Sequence, residues 1–212
     1  MKDGRRLAVA VTVAALLWFY MFSPWTKGLT NFWVTMSGAA VMLTSLAVAF
    51  LPKPRITIEK PLLQLAGGIV LAFALWGVFW IGDKASAWIF DFARPEVDSI
   101  YSMKSGLPVP AIAALLLFVI GPAEEFFWRG YVQRTFGKLF EGRKYPADLA
   151  LLMTAVIYAL VHVWSLNFML VMAALVAGVV WGLLYRLRPQ MLPALIVSHA
   201  LWDALVFVWI PI

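Results

Sequence analysis

Long apolar runs separated by short polar clusters divide this chain. Seven runs approach the ~20 residues that cross a bilayer core. They fall at 7–23, 32–51, 62–82, 108–137, 148–166, 168–186 and 190–210. The pattern predicts an all-α fold, a polytopic transmembrane helical bundle of about seven spans. Inside three of the later runs, polar side chains recur four residues apart: Glu125 and Arg129, Tyr158 and His162, His199 and Asp203.

Composition strengthens this picture. Hydrophobic residues make up 63% of the 212, and mean hydropathy is +0.87. Soluble domains average about 45–50% apolar residues. A soluble fold is therefore excluded, and the bilayer is an expected partner. One membrane domain is expected over 1–212, with the first three spans and an external loop in 1–107 and the motif-bearing helices in 108–210. The start, Met1 to Arg6 followed by Leu7 onward, has the charged and apolar regions of a signal peptide. No small-x-small cleavage site follows Tyr20 to Trp25, so a retained first span is expected. The chain has no cysteine, which removes disulfides, thiolate nucleophiles and cysteine metal sites.

The net charge of +6 sits in short loops between spans, which points to membrane topology and not to nucleic acid. One set of loops holds Lys2, Arg5, Arg6, Lys53, Arg55, Lys60, Arg134, Lys138, Arg143, Lys144, Arg186 and Arg188. The other holds Lys27, Lys84, Arg94 and Lys104, so the count is twelve against four. The positive-inside rule then puts the N-terminus in the cytoplasm and the C-terminus outside, in what is expected to be a prokaryotic plasma membrane. The longest loop, 83–107, is expected outside. Its Trp88, Ile89, Phe90 and Phe92 predict a segment lying on the bilayer surface, and its acids Asp83, Asp91, Glu96 and Asp98 predict a solvated loop. Ala174, Gly178 and Gly182, spaced by four, predict close helix packing inside the bundle.

Ionisable groups within apolar helices are expensive and mark candidate sites. The fourth span reads Gly121-Pro122-Ala123-Glu124-Glu125-Phe126-Phe127-Trp128-Arg129. At ~100° per residue, Glu125 and Arg129 lie about 40° apart and can pair, while Glu124 lies about 140° away. Glu124 is then left free to serve as a general base. Pro122 removes one helical donor and predicts a bend. His162 carries Tyr158 on its own face, and Asp203 can orient His199. Taken singly, each pair has a structural reading: a salt bridge, a packed histidine, a bonded pair. Counted from the basic loops at ~1.5 Å per residue, Glu124, His162 and Asp203 all lie about 21–22 Å deep, and His199 about 15 Å. A shared level favours one centre over three unrelated pairs.

These three elements, Glu-Glu-x-x-x-Arg at 124–129, aromatic-x-x-x-His at 158–162 and His-x-x-x-Asp at 199–203, resemble in order those of the CAAX-protease and bacteriocin-processing (ABI) family. That family includes the type II CAAX prenyl endopeptidases. The resemblance covers roughly 108–210. It implies an intramembrane glutamic endopeptidase without cofactor or metal, acting on a membrane-associated peptide or protein tail. Glu124, helped by His162, would activate water. Glu125 and Arg129 would hold the helix and the electrostatics, and His199 with residue 203 would stabilise the oxyanion. Two positions depart from the family pattern. Tyr158 replaces the usual phenylalanine, and its hydroxyl can bond His162 or a substrate. Asp203 replaces the prenyl proteases' asparagine, and an ionised carboxylate cannot donate, so orienting His199 is its expected role. Depth and resemblance together favour entry from the cytoplasmic side. Two other readings remain open: a metal-dependent membrane protease using the same Glu, His and Asp side chains, and a non-enzymatic scaffold, immunity or proton-coupled transport protein.

Overall fold

The computed structural model describes residues 2–51 and 58–212. Lys53 and Arg55, two cations of the expected basic loops, and Met1 of the expected charged start lie outside the described residues. Among the described residues seven helices are long and apolar enough to cross a membrane. All seven expected spans are present. They are α1 (Lys2–Phe22), α2 (Phe32–Phe50), α3 (Pro61–Ile89), α5 (Val109–Leu139), α6 (Pro146–Val161), α7 (Phe168–Leu187) and α8 (Pro189–Trp209). A shorter helix, α4 (Ala93–Tyr101), sits between α3 and α5.

The helix starts follow from local chemistry. Asn31 accepts from the backbone N–H groups of Trp33 and Val34, and Asn167 accepts from Leu170 N–H, so each caps its helix. Prolines open α3, α6 and α8, where the missing N–H costs nothing.

The central element is α5. Every residue from Phe126 to Gln133 is buried. A helix enclosed on all sides must lie in the middle of a bundle. Trp18 of α1, Leu43 of α2, and Ile120, Phe127, Trp128 and Tyr131 of α5 form the main apolar core. At the other extreme, α3 buries only Gly68, Ala72, Leu75 and Asp83, with exposed Leu62, Leu63, Val70 and Ile81 elsewhere along it. Its contact with α8 depends on Gly68. A Cβ there would lie 2.6 Å from Ala194 O and 2.7 Å from Val197 Cβ.

Pro122 does not break α5. The turn before it widens into a π segment, Leu116–Ile120, where Gly121 N–H bonds Leu116 O five residues back. A second π segment follows at Phe126–Gln133. The wider turns absorb the proline's missing donor, so the expected bend becomes a local unwinding. Such π turns recur at functional sites.

Hydrogen bonds tie the two ends of the bundle separately. At one end Asn31 binds Gly106 O, Trp33 binds Met103 O, Asn167 binds Glu96 O, and Tyr101 binds Val206 O. At the other, Gln64 binds Gln190 O and Arg186 pairs with Asp148. The basic loops cluster at this second end.

The 83–107 segment corrects one expectation. It is not a solvated loop throughout. Helix α3 continues to Ile89, and Asp83 is buried, paired with Arg94 and Lys84. The Glu96 carboxylate accepts from Met169 N–H and holds α4 onto the start of α7. Both acids are engaged because their neighbours supply cations or orphan N–H groups. Trp88, Ile89, Phe90 and Phe92 remain exposed, as an interfacial segment requires.

Candidate active site

The π-widened stretch of α5 carries Glu124, Glu125 and Arg129 at mid-bundle. Helix α6 delivers Tyr158 in its last turn and ends at His162. Helix α8 delivers His199 and Asp203. Hydrogen bonds and a shared cavity bring these side chains together.

Glu125 is the hub. Its Oε2 accepts from Arg129 Nη1 at 3.0 Å and from His199 Nδ1 at 3.0 Å. Glu125, Arg129 and His199 are 0%, 1% and 2% exposed, so the Glu125 and Arg129 charges depend on each other and on the bond to His199. Arg129 Nη2 also donates to Gly178 O at 3.2 Å and to Ala177 O at 3.5 Å. Its guanidinium lies over the rings of Tyr158 and Trp181 at 5.3 and 5.5 Å. The small residues of α7 make this approach possible. A Cβ on Gly178 would sit 3.2 Å from Tyr158 Cδ1, and one on Gly182 would sit 2.6 Å from Leu151 Cδ1. Internal packing, the expected role of this spacing, is what the glycines provide.

Glu124 is separate from that pair, as the helical wheel requires. Tyr158 Oη donates to its Oε2 at 3.1 Å. The tyrosine hydroxyl therefore reaches Glu124 and not His162. It is the Tyr158 carbonyl that meets His162, at 2.7 Å from Nδ1.

His162 has a second partner in Trp18 of the first span. Trp18 Nε1 donates to His162 Nε2 at 3.0 Å. An indole N–H only donates, so Nε2 accepts and Nδ1–H must bind the Tyr158 carbonyl. Both ring nitrogens are engaged, and the imidazole is neutral with a fixed tautomer. Sequence reasoning missed Trp18, because nothing near it in the chain marks it as polar. The one available signal was a tryptophan in the middle of an apolar run.

His199 stacks on Trp181, with ring centroids 4.0 Å apart and planes at 16°. Trp181 Nε1 is fixed in turn by Ser198 Oγ at 3.1 Å. Asp203 Oδ2 lies 3.6 Å from His199 Nε2, too far for a direct hydrogen bond. The carboxylate that orients His199 is thus chiefly Glu125 through Nδ1, with Asp203 as a charge at its other nitrogen.

Glu124, Tyr158, His162, His199 and Asp203 all line one cavity of about 450 Å³. Its remaining walls are largely apolar and include Phe22, Met36, Phe79 and Phe207. It extends past Asp83, Phe90 and Tyr101 to Ile212, at the end of the bundle away from the basic loops. The expected entry from the basic end is not the one the cavity provides.

No group of three or more His, Asp and Glu side chains among the described residues has the geometry to hold a metal ion. No curated protein and no solved structure matches the chain. A family model, Type II CAAX prenyl endopeptidase Rce1-like, matches residues 106–205. That stretch begins just before α5, ends in α8 and contains every polar residue of the cavity centre. Over residues 106–205, just under half of its length, this chain with seven membrane-length helices is similar to the Rce1-like type II CAAX prenyl endopeptidases.

Proposed function

We propose that this chain, a CAAX-type intramembrane protease by its family, cleaves a membrane-associated peptide or protein tail with a glutamate-activated water. The observation that carries the reading is the division of labour between adjacent glutamates. Glu125 is neutralised by Arg129 and His199, while Glu124 faces the cavity with a single donor, Tyr158. Glu124 Oε1 is left to take a proton from water as the water attacks the scissile carbonyl. His199 is the oxyanion donor through Nε2, which requires its imidazolium form because Nδ1–H is bound to Glu125. One positive charge then lies between the carboxylates of Glu125 and Asp203 and faces the developing oxyanion. Glu124 then passes the water's proton to the leaving amine, while His162, held by Trp18 and the Tyr158 carbonyl, helps to position the groups around it. Tyr158 fixes Glu124 and offers its ring to the substrate.

The whole chain acts as one catalytic domain in this reading. Support comes from Trp18, which lies outside the family match yet bonds His162.

The test is cleavage of quenched peptides and native membrane-protein tails by purified protein in detergent. Wild type should cleave, Glu124→Gln should not, and strong chelators should change neither result. Cleavage that persists in Glu124→Gln would remove Glu124 as the base. Chelator-sensitive cleavage would replace the mechanism with a metal-dependent one.

A further inference from the structure

The direction of the cavity and the distribution of charge bear on the same question. Glu124 lies midway along α5, about 22 Å from each end at ~1.5 Å per residue. His199 is likewise mid-helix in α8, whereas His162 terminates α6. From these groups the cavity runs one way only. Its lining comes from the end of α1 (Phe22), the start of α2 (Trp33), the end of α3 (Ser86), α4 (Tyr101) and the chain's last residue (Ile212).

Toward the other end the site is packed shut. Trp128, Arg129, Gln133 and Trp181 are all buried beneath it. Gln133 Nε2 donates to Gly182 O at 2.8 Å and joins α5 to α7 below the cavity floor.

The closed end carries the cations. Among the described residues, Lys2, Arg5, Arg6, Lys60, Arg134, Lys138, Arg143, Lys144, Arg186 and Arg188 are at or near it, ten in all. The cavity end has four: Lys27, Lys84, Arg94 and Lys104. Two of those four, Lys84 and Arg94, are paired with Asp83. Lysine and arginine in short loops stay in the cytoplasm during insertion.

We infer that the cavity faces the extracytoplasmic side of the membrane, and that its substrate is an apolar segment of an exported, membrane-anchored polypeptide presented from that side. The substrate class rests on the protease reading above, whereas the orientation does not. The apolar walls match a hydrophobic segment entering beside its own anchor. Exposed Trp25, Leu29, Trp88 and Phe168 surround that end at the level where a membrane interface favours aromatic and apolar side chains. A tail confined to the cytoplasmic face would meet the packed floor.

The native chain has no cysteine, so single-cysteine labelling needs no prior substitution. Ser99→Cys marks the cavity end and Glu141→Cys the basic end; both positions are exposed. Intact cells expressing each full-length variant are treated with a membrane-impermeant maleimide. Ser99→Cys should label at once, and Glu141→Cys only after permeabilisation. The reverse pattern would overturn the inference. The same variants carrying Glu124→Ala should label identically, so the orientation is decided without reference to activity. Terminal-peptide mapping of membrane proteins from cells with wild type or Glu124→Ala then tests the substrate. Dependent cleavage sites should lie at extracytoplasmic ends of spans. Dependent sites confined to cytoplasmic tails would overturn the substrate class. A complete lack of dependent sites would count against the protease reading and leave the labelled orientation standing.

Discussion

Trp18 Nε1 donates to His162 Nε2 at 3.0 Å, and this bond joins the first span to the cavity across 144 residues of sequence. It holds the imidazole edge that faces α1 while the Tyr158 carbonyl holds the other nitrogen. The ring of Trp18 also packs against Trp128, with centroids 6.5 Å apart. Removing the N–H and keeping a ring separates positioning from packing. Trp18→Phe should lower kcat about fivefold with KM nearly unchanged, since one hydrogen bond contributes about 1 kcal/mol. Steady-state cleavage kinetics check this. A drop in KM alone, or an unaltered kcat, would show that His162 needs no such anchor.

Glu124→Gln keeps the size of the side chain and removes its basicity. Cleavage should fall by about 10²–10⁴-fold, the range that general bases supply. Tyr158→Phe removes the one donor to Glu124 and keeps the ring over which Arg129 lies. It should reduce kcat by less than about tenfold, again in line with one hydrogen bond. The paired kinetics of the two variants test the order: a tyrosine variant as inactive as the glutamate one would make the hydroxyl itself essential.

Arg129→Ala leaves Glu125 buried with only His199 as partner. Breaking a buried pair from one side costs about 3–5 kcal/mol. The variant should unfold at markedly lower temperature in detergent. The Arg129→Ala, Glu125→Ala double variant should be less destabilised than the sum of its parts, because the two share one oxygen contact. Additive losses in a thermal-unfolding cycle would remove the coupling.

Gly121 marks where α5 meets α8. A Cβ there would lie 2.5 Å from Ala200 Cα and 2.9 Å from Ala200 N, backbone atoms beside His199. Gly121→Ala should cost at least about 1–3 kcal/mol, as overpacking does. It should also abolish cleavage by moving Glu125 from His199. Gly67→Ala is the control, because nothing lies within 4 Å of its added carbon. Unfolding and cleavage assays on both variants decide the point. A fully active Gly121→Ala would mean that the α5–α8 contact yields without disturbing the site.

Much was legible in the chain because its causes are local. Hydrocarbon demands about twenty apolar residues per span, so all seven helices were visible as runs. The i, i+4 geometry of one helix placed Arg129 with Glu125 and away from Glu124 before any packing was known. Glycine spacing in α7 announced a close helix contact. The 83–107 segment was less legible. Asp83 and Glu96 are engaged by Arg94 and Met169, and partners so placed carry no sequence signature.

By itself, then, the sequence determined the spans, the charge asymmetry and the pairs lying on single helices, since each depends on residues within one or two turns or loops. Tertiary structure alone decided which groups meet across helices. It set Trp18 on His162, Tyr158 on Glu124 and His199 on Glu125, and it left the cavity running away from the basic end. Helix rotation and tilt in a bundle are fixed by side-chain packing between distant segments, such as the close approach at Gly68 and Gly121, and hydropathy averages that information away.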